Sequence, residues 1–313
     1  MNKSIIANLT ELKNYYQQEQ DKFRTIAYTK AINAIRNIKE PITNIEQLSN
    51  TKGIGPKITA KINQLIQDGN IKTLESIHRK EDPIRKNVLN DFLTIYGIGP
   101  VAAAKLYDVH KIKSLTALKN ASQNDPNLLT AAQKVGLRHR EALLHRIPRD
   151  FINTFQYTVS YCLHSAFNDT FKLQTAGSFR RGKKDSGDID IMLQSTFFTL
   201  KEAVEVLIAY GVVTDILALD VKKFMGIGTC PGVKDSVPFR LDIFMVDETN
   251  WWTALVTHTG PKELNTEMRA KAASLGMKLS DQGLTKGTKK LSVKSEKDLF
   301  KKLGMKYIIP TER

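Results

Sequence analysis

The sequence predicts an α+β protein in which a helical amino-terminal half precedes a half built around a β-sheet. Apolar residues recur at helical spacing over residues 1 to about 37. A glycine-rich segment, Gly53–Lys61, returns 44 residues later as Gly97–Lys105, each time ahead of a helical pattern. In the second half, the runs Ile189–Leu193 and Phe239–Val246 have the apolar, β-branched and aromatic content that is typical of strands.

The composition indicates a globular protein with a polyanionic partner. A length of 313 residues favours about two domains. The net charge of +15 favours nucleic acid or an anionic membrane surface as the partner. No apolar run reaches the ~20 residues that span a bilayer, and the amino terminus lacks a signal-peptide core, so we expect a soluble intracellular protein. Cys162 and Cys230 form neither a metal-ligand pair nor a disulfide framework.

The elements follow in order along the chain. A first helix over residues 1–37 is stopped by Pro41, and residues 78–150 are helical up to a hinge at Arg146–Arg149. The second half then has the predicted helices Phe151–Phe167 and Leu200–Tyr210 and the predicted strands Val212–Leu219, Lys223–Ile227 and Phe239–Val246.

The repeated segment predicts two phosphate cradles. In each copy two glycines (Gly53 and Gly55, then Gly97 and Gly99) form a tight turn, and a proline occupies the first helical position. The N–H groups of the helix that follows are then exposed to a ligand. One such segment alone would indicate no more than a capped helix. Two in a basic chain favour helix-hairpin-helix elements that hold DNA backbone without reading bases.

Two lysines distinguish the first copy. Lys57 and Lys61 lie four residues apart on one helix face, where like charges repel, and Lys57 opposes the helix dipole. A phosphate partner would explain this arrangement. An amine crowded by Lys57, Lys72 and Arg24 would also have the lowered pKa that a Schiff-base nucleophile requires. A solvated basic face is the alternative.

The segment Gly177–Leu193 predicts a metal and triphosphate site. Asp188 and Asp190 share one face of a strand, and hard carboxylate ligands at this spacing suit Mg²⁺. Gly177 and Ser178 can bring backbone N–H groups and a hydroxyl to a phosphate, and Arg180 or Arg181 can supply a guanidinium. A strand that ends in a polar turn is the alternative.

Asp242 is the expected third carboxylate, since a buried aspartate on a strand is costly unless it is paired or bound to metal. Arg240 shares its face, and a simple Arg240–Asp242 surface pair is the alternative. Farther on, Asn265 and Arg269 lie four residues apart on one helix, so both can face a bound nucleotide or template.

In these motifs the chain resembles the X-family DNA polymerases, the group that includes DNA polymerase beta, over nearly its whole length and in the family's order. The resemblance implies a helical lyase-like domain with the first hairpin (1–77) and a DNA-binding helical subdomain with the second (78–148). A nucleotidyltransferase palm (149–248) and a nucleotide-selecting terminal subdomain (249–313) follow. Because no BRCT-like extension precedes the first domain, the chain resembles the minimal form of the family.

The resemblance also implies the roles of individual residues. Asp188 and Asp190 would hold two Mg²⁺ ions, for which Mn²⁺ can substitute, and Asp242 the ion at the primer 3′-hydroxyl. Lys61 would attack the sugar aldehyde left at a repaired base. The remaining implied contacts are Gly177, Ser178, Arg181, Gly187 and Arg146 with the triphosphate; Thr257, His258, Gly260, Asn265 and Arg269 with the nucleotide or nascent pair; and Tyr28, Lys30, Lys57, Gly53, Gly55, Gly97, Gly99 and Arg240 with DNA.

Three departures from the family pattern affect these expectations. Thr257-His258 replaces a Tyr-Phe pair, so the aromatic wall beside the incoming sugar is expected to be missing. Lys262 stands where polymerase beta has an aspartate. Thr73 replaces a lysine of the lyase pocket, with Lys72 beside it as a substitute.

The predicted function is DNA-directed gap filling in base-excision repair with an added 5′-deoxyribose-phosphate lyase activity. The substrates would be gapped or nicked DNA and deoxynucleoside triphosphates. We expect a monomer in the nucleus or another DNA-containing compartment, with ligase and other repair proteins as partners and no membrane. The alternatives are a template-independent terminal nucleotidyltransferase, which a long loop before Asp242 would favour, and a non-catalytic DNA-binding scaffold, which would have lost a carboxylate.

Overall fold

The computed structural model describes residues 2–38, 40–49, 51–80, 82–234 and 236–313, without the side chains of residues 78–80. The chain forms two compact units, Met1–Leu137 and Arg138–Arg313. The expected mixture of a helical first half and a sheet-containing second half is confirmed.

The first unit is helical. Its helices are α1 (Asn2–Gln18), α2 (Lys22–Arg36), α3 (Pro56–Asp68), α4 (Lys72–Lys80), α5 (Pro83–Leu93), α6 (Pro100–Asp108), α7 (Leu115–Asn124) and α8 (Ala131–Arg138), with a 3₁₀ turn at Ile45–Leu48. Two separate apolar cores hold them. One core is shared by the four helices α1, α2, α3 and α4, and the other is shared by α5, α6 and α7.

The prediction of one helix over residues 1–37 is wrong. Gln20 adopts a positive φ of 58°, which ends α1, and the Asp21 side chain then accepts a hydrogen bond from the backbone N–H of Arg24 to start α2. An aspartate at this position satisfies one of the N–H groups that a helix start leaves unpaired. Leu9 and Leu12 on α1 and Ile32 and Ile35 on α2 can thereby share one core.

The second unit contains the remaining elements. These are α9 (Arg140–Leu144), β1 (Ile147–Pro148), α10 (Arg149–Phe167), β2 (Phe171–Thr175), α11 (Gly177–Arg180), β3 (Asp185–Ser186), β4 (Ile189–Ser195), α12 (Leu200–Ala209), β5 (Val213–Leu219), β6 (Lys223–Gly228), β7 (Phe239–Met245), α13 (Trp251–Thr259), α14 (Lys262–Ser274), β8 (Met277–Ser280), β9 (Gly283–Lys286), β10 (Lys289–Leu291) and α15 (Glu296–Lys302). Short 3₁₀ turns occupy Glu248–Asn250 and Pro310–Glu312.

A five-stranded sheet in the order β2-β4-β7-β6-β5 positions the candidate site. β4 and β7 run parallel, and the other neighbouring pairs are antiparallel. Side chains alternate across the sheet. Ile191 and Ile243 therefore enter the core against α10 and α12, whereas Met192 packs with Trp251 of α13 on the other face.

Two smaller sheets complete the unit. β1 pairs with β3, which places the predicted hinge Arg146–Arg149 in a strand pair beside the segment that leads to β4. β10, β9 and β8 form an antiparallel sheet near the carboxyl terminus. Along the described ranges, no helix is both long enough and apolar enough to cross a membrane.

Candidate active site

The three predicted aspartates meet at the junction of β4 and β7. Asp190 and Asp242 are register partners on these parallel strands, and Asp188 lies two residues before Asp190. The carboxylates therefore lie close together, as the D-x-D pattern and the later strand predicted. Asp242 is 4% exposed, which rules out the alternative of a simple surface pair with Arg240.

Arg240 bridges two of these carboxylates. Its Nη2 donates a hydrogen bond to Asp188 Oδ2 and lies 3.5 Å from Asp242 Oδ2. The sequence placed Arg240 on the same face as Asp242 but assigned it to DNA. In the structure its guanidinium is the nearest positive charge to the aspartates, and about a quarter of the side chain is exposed.

Negative charge remains in excess at this site. Burial, together with Asp188 and Asp242, raises the pKa of Asp190 to about 7. Burial and the Asp188 charge also raise the pKa of Asp242, although Arg240 opposes the shift. Oδ1 of Asp242 is buried without a hydrogen-bond partner among the described residues. Such an oxygen is costly in a folded protein unless something binds it.

This donor set fits a divalent cation. Carboxylate oxygens are the ligands that Mg²⁺ and Mn²⁺ prefer, and a double positive charge would offset the crowding that raises both pKa values. In the part of the chain described, no three His, Cys, Asp or Glu side chains are placed so that they could hold a metal ion as they stand, and Asp188 is hydrogen-bonded to Arg240. Release of Asp188 from Arg240 would make its oxygens available beside Asp190 and Asp242.

Gly177 gives the Asp190 carboxylate its space. A Cβ at Gly177 would overlap Asp190 Oδ2, and the φ of Gly177 is +55°, which disfavours other residues. The Ala176 backbone N–H also donates to the Asp190 carbonyl at 2.8 Å. The glycine that the sequence assigned to phosphate contact therefore also permits close approach of α11 to β4.

The predicted triphosphate contacts converge beside these carboxylates. The Ser178 hydroxyl donates to Ser186 Oγ at 2.7 Å, which fixes α11 on β3. Arg146 Nη2 lies 2.8 Å from Asp185 Oδ1, and a Cβ at Gly187 would come within 3.0 Å of Arg146 Nη1. Arg146, well apart in sequence, is thus held on the turn that precedes β4.

The end of α13 joins the same group. Arg181 donates to the Thr259 carbonyl, and a Cβ on Gly260 would lie 3.3 Å from Arg181 Nη1. Asn265 Nδ2 donates to the Thr257 carbonyl at 2.7 Å. Four of the predicted nucleotide contacts therefore lie together: Arg181 just after α11, Thr257 on α13, Gly260 just after α13 and Asn265 on α14. Arg269, by contrast, is exposed on α14.

His258, near the end of α13, packs against an aromatic ring. Its ring stacks on Phe244 with 3.8 Å between ring centroids, and burial lowers its pKa to about 4. The imidazole is therefore neutral at pH 7. The His258 ring takes the place of the second aromatic residue of the family's Tyr-Phe pair. The aromatic side chain expected to be missing beside the incoming sugar is therefore missing at Thr257 alone.

Glu296 was assigned no role from the sequence. Glu296 is 5% exposed and accepts hydrogen bonds from Arg180, Arg313 and Tyr307. Burial alone would raise the pKa of this carboxyl, but the Arg180 hydrogen bond and the Arg313 charge hold it below its usual value. Arg180 also donates to Thr259 Oγ1 at 2.8 Å, so this network connects α11, α13 and α15.

A second candidate site lies in the first unit, around Lys61. Burial lowers the pKa of the Lys61 amine, and the charges of Arg24 and Lys57 lower it further. The expected crowding is present, but Lys72 does not contribute to this shift. The helix that carries Lys61, α3, begins at Pro56 without a side-chain cap. Pro56 has no N–H, and the N–H groups of Ile58 and Thr59 donate to the Gly55 carbonyl, which leaves the Lys57 N–H available to an anion.

The predicted 5′-phosphate contacts surround the first hairpin unevenly. Lys30 borders Gly53, where a Cβ would lie 3.6 Å from Lys30 Cβ, and both line a cavity of about 470 Å³ with Gly55. Tyr28 is 5% exposed and stacks on Tyr16, and burial raises its pKa to about 12. Tyr28 is therefore part of the core of this unit and does not line the cavity.

The second hairpin repeats this local geometry. Gly97 has a φ of +83°, and its carbonyl accepts a hydrogen bond from Gln133 Nε2 at 2.9 Å. α6 begins after Gly99 with Pro100 and again has no side-chain cap. Both copies of the repeat therefore present uncapped helix starts, as the sequence predicted.

Four family models match consecutive parts of the chain. They are a helix-hairpin-helix domain (residues 1–71), the fingers domain of DNA polymerase lambda (90–144), the DNA polymerase beta palm (146–248) and the DNA polymerase beta thumb (254–313). The palm match contains the three aspartates and Arg146, and the thumb match contains Thr257, Asn265 and Glu296.

Characterised relatives align with the whole chain. It is 30% identical to DNA polymerase lambda of Rattus norvegicus and 27% identical to DNA polymerase lambda of Arabidopsis thaliana, with all of this chain covered in both cases. It is also 25% identical to DNA nucleotidylexotransferase of Xenopus laevis over 96% of its length. The chain spans 56%, 62% and 66% of these relatives.

The raised pKa of Asp190 predicts a pH-dependent stability. Between about pH 4, where an exposed aspartate titrates, and pH 7, the folded chain holds a proton that the unfolded chain has lost. The free energy of unfolding of metal-free protein should therefore fall as the pH rises through this window, by up to about 4 kcal/mol. Urea denaturation in EDTA at a series of pH values measures this change in the free energy of unfolding.

Asp190→Asn should flatten this slope, whereas Asp169→Asn, at an exposed surface position, should leave it unchanged. Equal slopes in wild type and Asp190→Asn would contradict the crowding of charge at this site.

Proposed function

The chain is homologous to the X-family DNA polymerases, and from that relationship and its clustered aspartates we propose that it is a DNA-directed DNA polymerase that fills short gaps in base-excision repair. The observation that carries the proposal is the register pairing of Asp190 with Asp242, with Asp188 beside them. The substrates are gapped or nicked DNA and deoxynucleoside triphosphates. We further propose that the chain acts as a monomer in a DNA-containing compartment, with ligase among its repair partners.

The proposed reaction joins the primer 3′-oxygen to the α-phosphorus of the incoming nucleotide and releases pyrophosphate. Asp188, Asp190 and Asp242 would hold two Mg²⁺ ions, for which Mn²⁺ can substitute. Bound there, the ions supply Lewis-acid stabilisation of the charge that develops on the phosphoryl oxygens and promote ionisation of the 3′-hydroxyl.

The arginines around the carboxylates would bind and orient the triphosphate. Arg181 is anchored on the Thr259 carbonyl and Arg146 on Asp185, so both guanidiniums are held before a nucleotide arrives. Such preorganisation reduces the entropy that binding costs and favours an in-line arrangement of the reacting atoms. Arg240 would balance the charge of Asp188 and Asp242 until ions bind.

The second hairpin and the first would hold DNA by its backbone, and Lys61 would act on a 5′-deoxyribose phosphate. The unprotonated Lys61 amine attacks the sugar aldehyde and forms an imine with loss of water. Loss of a proton from C2′ then breaks the C3′–O bond, which leaves the DNA with a 5′-phosphate, and hydrolysis of the imine releases the unsaturated sugar from Lys61. The lowered pKa of Lys61 favours the unprotonated amine that this step needs.

A template-independent transferase is the second candidate, because one relative is named DNA nucleotidylexotransferase. The discriminating feature is the segment before Asp242. β6 ends at Gly228 and β7 begins at Phe239, which leaves a connection too short for the long loop that this candidate predicts. Template dependence is therefore part of the proposal.

Loss of a metal-holding carboxylate should abolish nucleotide addition. We expect Asp242→Ala and Asp190→Ala to lose at least about 10³-fold in insertion rate on one-nucleotide gapped DNA, since each removes a charge that positions the reacting groups. DNA binding, measured by fluorescence anisotropy, should survive because the hairpins hold the backbone. Asp169→Ala serves as the surface control. Near wild-type insertion by Asp242→Ala, or equal insertion without template, would refute the proposal.

Lys61 should be the lyase nucleophile. Borohydride should trap a covalent adduct between wild-type protein and DNA carrying a 5′-deoxyribose phosphate, and Lys61→Ala should reduce trapping by at least about 10²-fold. Lys57→Ala keeps the Lys61 amine but removes a charge that lowers the Lys61 pKa, so it should trap less than wild type and much more than Lys61→Ala. Undiminished trapping in Lys61→Ala would assign the nucleophile to another lysine, with Lys57 or Lys72 next.

Selection against ribonucleotides should depend on both the side chain and the main-chain carbonyl of Thr257. Thr257 is small, and its hydroxyl is already bonded to the Thr253 carbonyl, so it leaves the 2′-hydroxyl uncrowded. Its carbonyl is fixed by Asn265 and could still exclude a 2′-hydroxyl.

We expect weaker discrimination than in members with the Tyr-Phe pair, improved by Thr257→Tyr and weakened further by Asn265→Ala. The measurement is the ratio of incorporation efficiencies for matched deoxy- and ribonucleotides. Strong wild-type discrimination that neither variant changes would show that this account of residue 257 is wrong.

A further inference from the structure

The terminal three-stranded sheet carries an excess of positive charge that the proposed chemistry does not use. Residues 254–313 contain 13 lysines and arginines against 6 aspartates and glutamates, which is +7 of the chain's net +15 in about a fifth of its length. Four of these lysines lie on the sheet itself, at positions 278, 286, 289 and 290, and all four are exposed. We call Lys278, Lys286, Lys289 and Lys290 the lysine hairpin.

The strand register places like charges opposite one another. Lys286 and Lys289 are direct partners on either side of the two-residue turn Gly287-Thr288, and Met277 is the partner of Lys286 on β8. Like charges directly opposite in an antiparallel pair destabilise a sheet. Lys278 and Lys290 both pair with Thr285 and so lie together on the other face. Folding alone does not favour either arrangement.

Among the described residues, neighbouring carboxylates form no ion pair with these lysines. Asp281, in the turn between β8 and β9, accepts a hydrogen bond from Gln282. Glu296 is engaged by Arg180 and Arg313, and Asp298 by Lys302. Over the described ranges of the chain, no ion pair reaches any lysine of the hairpin. Lys290 Nζ lies 3.3 Å from the Thr249 hydroxyl, which is uncharged. The positive charge of the hairpin is therefore presented to solvent.

The hairpin is fixed to the part of the unit that carries the nucleotide contacts. Leu279 of β8 and Leu284 of β9 are buried in one core with Met268 and Ala272 of α14. The same helix presents Asn265 to the Thr257 carbonyl. The sheet and the nucleotide contacts thus share a helix. The exposed residues Arg269 and Lys271 extend the basic surface along α14.

We propose that the lysine hairpin binds the phosphate backbone of a duplex arm of the gapped DNA, beyond the nucleotides at the gap. This inference rests on the proposed function, since it assigns a second contact to the same substrate. Duplex DNA presents a phosphate charge about every 1.7 Å along its axis. A cluster of lysines attracts such a surface without reading its sequence. Bound phosphates would offset the Lys286–Lys289 repulsion.

The test compares DNA binding by wild type, Lys286→Glu and Lys201→Glu at low and moderate salt. Lys201 is an exposed lysine of α12, so its reversal changes the net charge equally at another surface. The probes are one-nucleotide gapped DNAs whose upstream or downstream duplex arm is short or is extended by two helical turns. Binding is measured by anisotropy. Insertion is measured separately, on the short-armed DNA at saturating concentration.

We expect extension of one arm to tighten wild-type binding and Lys286→Glu to lose about 3- to 10-fold in affinity for that DNA, with a shallower salt dependence. Lys201→Glu should bind like wild type, and all three proteins should insert nucleotide equally on short arms. Lys286→Glu also places opposite charges across the turn, so its melting temperature should equal or exceed that of wild type. Its weaker binding would then not result from unfolding.

Equal affinities of Lys286→Glu and wild type for the long-armed DNA would overturn the proposal, as would an equal loss in Lys201→Glu or no gain on extending either arm. The last result would leave the hairpin to another polyanion, such as an acidic protein. Failure of the proposed function gives a different signature, because wild type would then bind gapped DNA but add no nucleotide to it.

Discussion

The second unit depends on the concentration of negative charge where β4 and β7 run side by side. Parallel pairing puts Asp190 level with Asp242, and burial of both raises their pKa values. The positive charges of Arg240, Arg181 and Lys223 offset only part of this negative charge. A fold that buries carboxylates without enough counter-charge loses stability. The arrangement is reasonable only if cations complete it, so the residues that weaken the isolated fold are the ones that would bind a divalent metal ion.

The surroundings of these carboxylates show how the structure tolerates that cost. Gly177 has no side chain that would overlap the Asp190 carboxylate. Among the described residues, Arg180 and Arg181 form hydrogen bonds with residues of α13 and α15 and not with the aspartates. Glu296 binds Arg180 on one side and Arg313 on the other. Arg180 is thereby engaged by Glu296 and Thr259. Arg181 donates to the Thr259 carbonyl, and Arg146 donates to Asp185. Arg180, which holds these elements together, is thus distinct from Arg181 and Arg146, which we propose bind phosphate.

Local patterns predicted a large part of this. The D-x-D strand, the third aspartate, both glycine turns and most strands were readable because each depends on residues near one another in sequence. The break at Gln20 was not, since a glutamine gives little signal for a positive φ. The Glu296 network joins positions up to 133 residues apart, from 180 to 313, so no local pattern indicates it. The stack of His258 on Phe244 was not readable either, because the two residues lie 14 positions apart on different elements. Arg240 likewise needed the fold to bring it to Asp188.

The most direct test of the account counts the divalent ions that the aspartates hold. Free Mn²⁺ can be measured by electron paramagnetic resonance as it is titrated into protein bound to gapped DNA with a dideoxy-terminated primer and the next nucleotide. Two tightly held ions per wild-type chain are predicted, as in other two-metal sites, with fewer in Asp242→Asn. A wild-type chain that holds none beyond those bound to nucleotide and DNA alone, or an Asp242→Asn chain that holds as many as wild type, would contradict the claim that these carboxylates form a metal site.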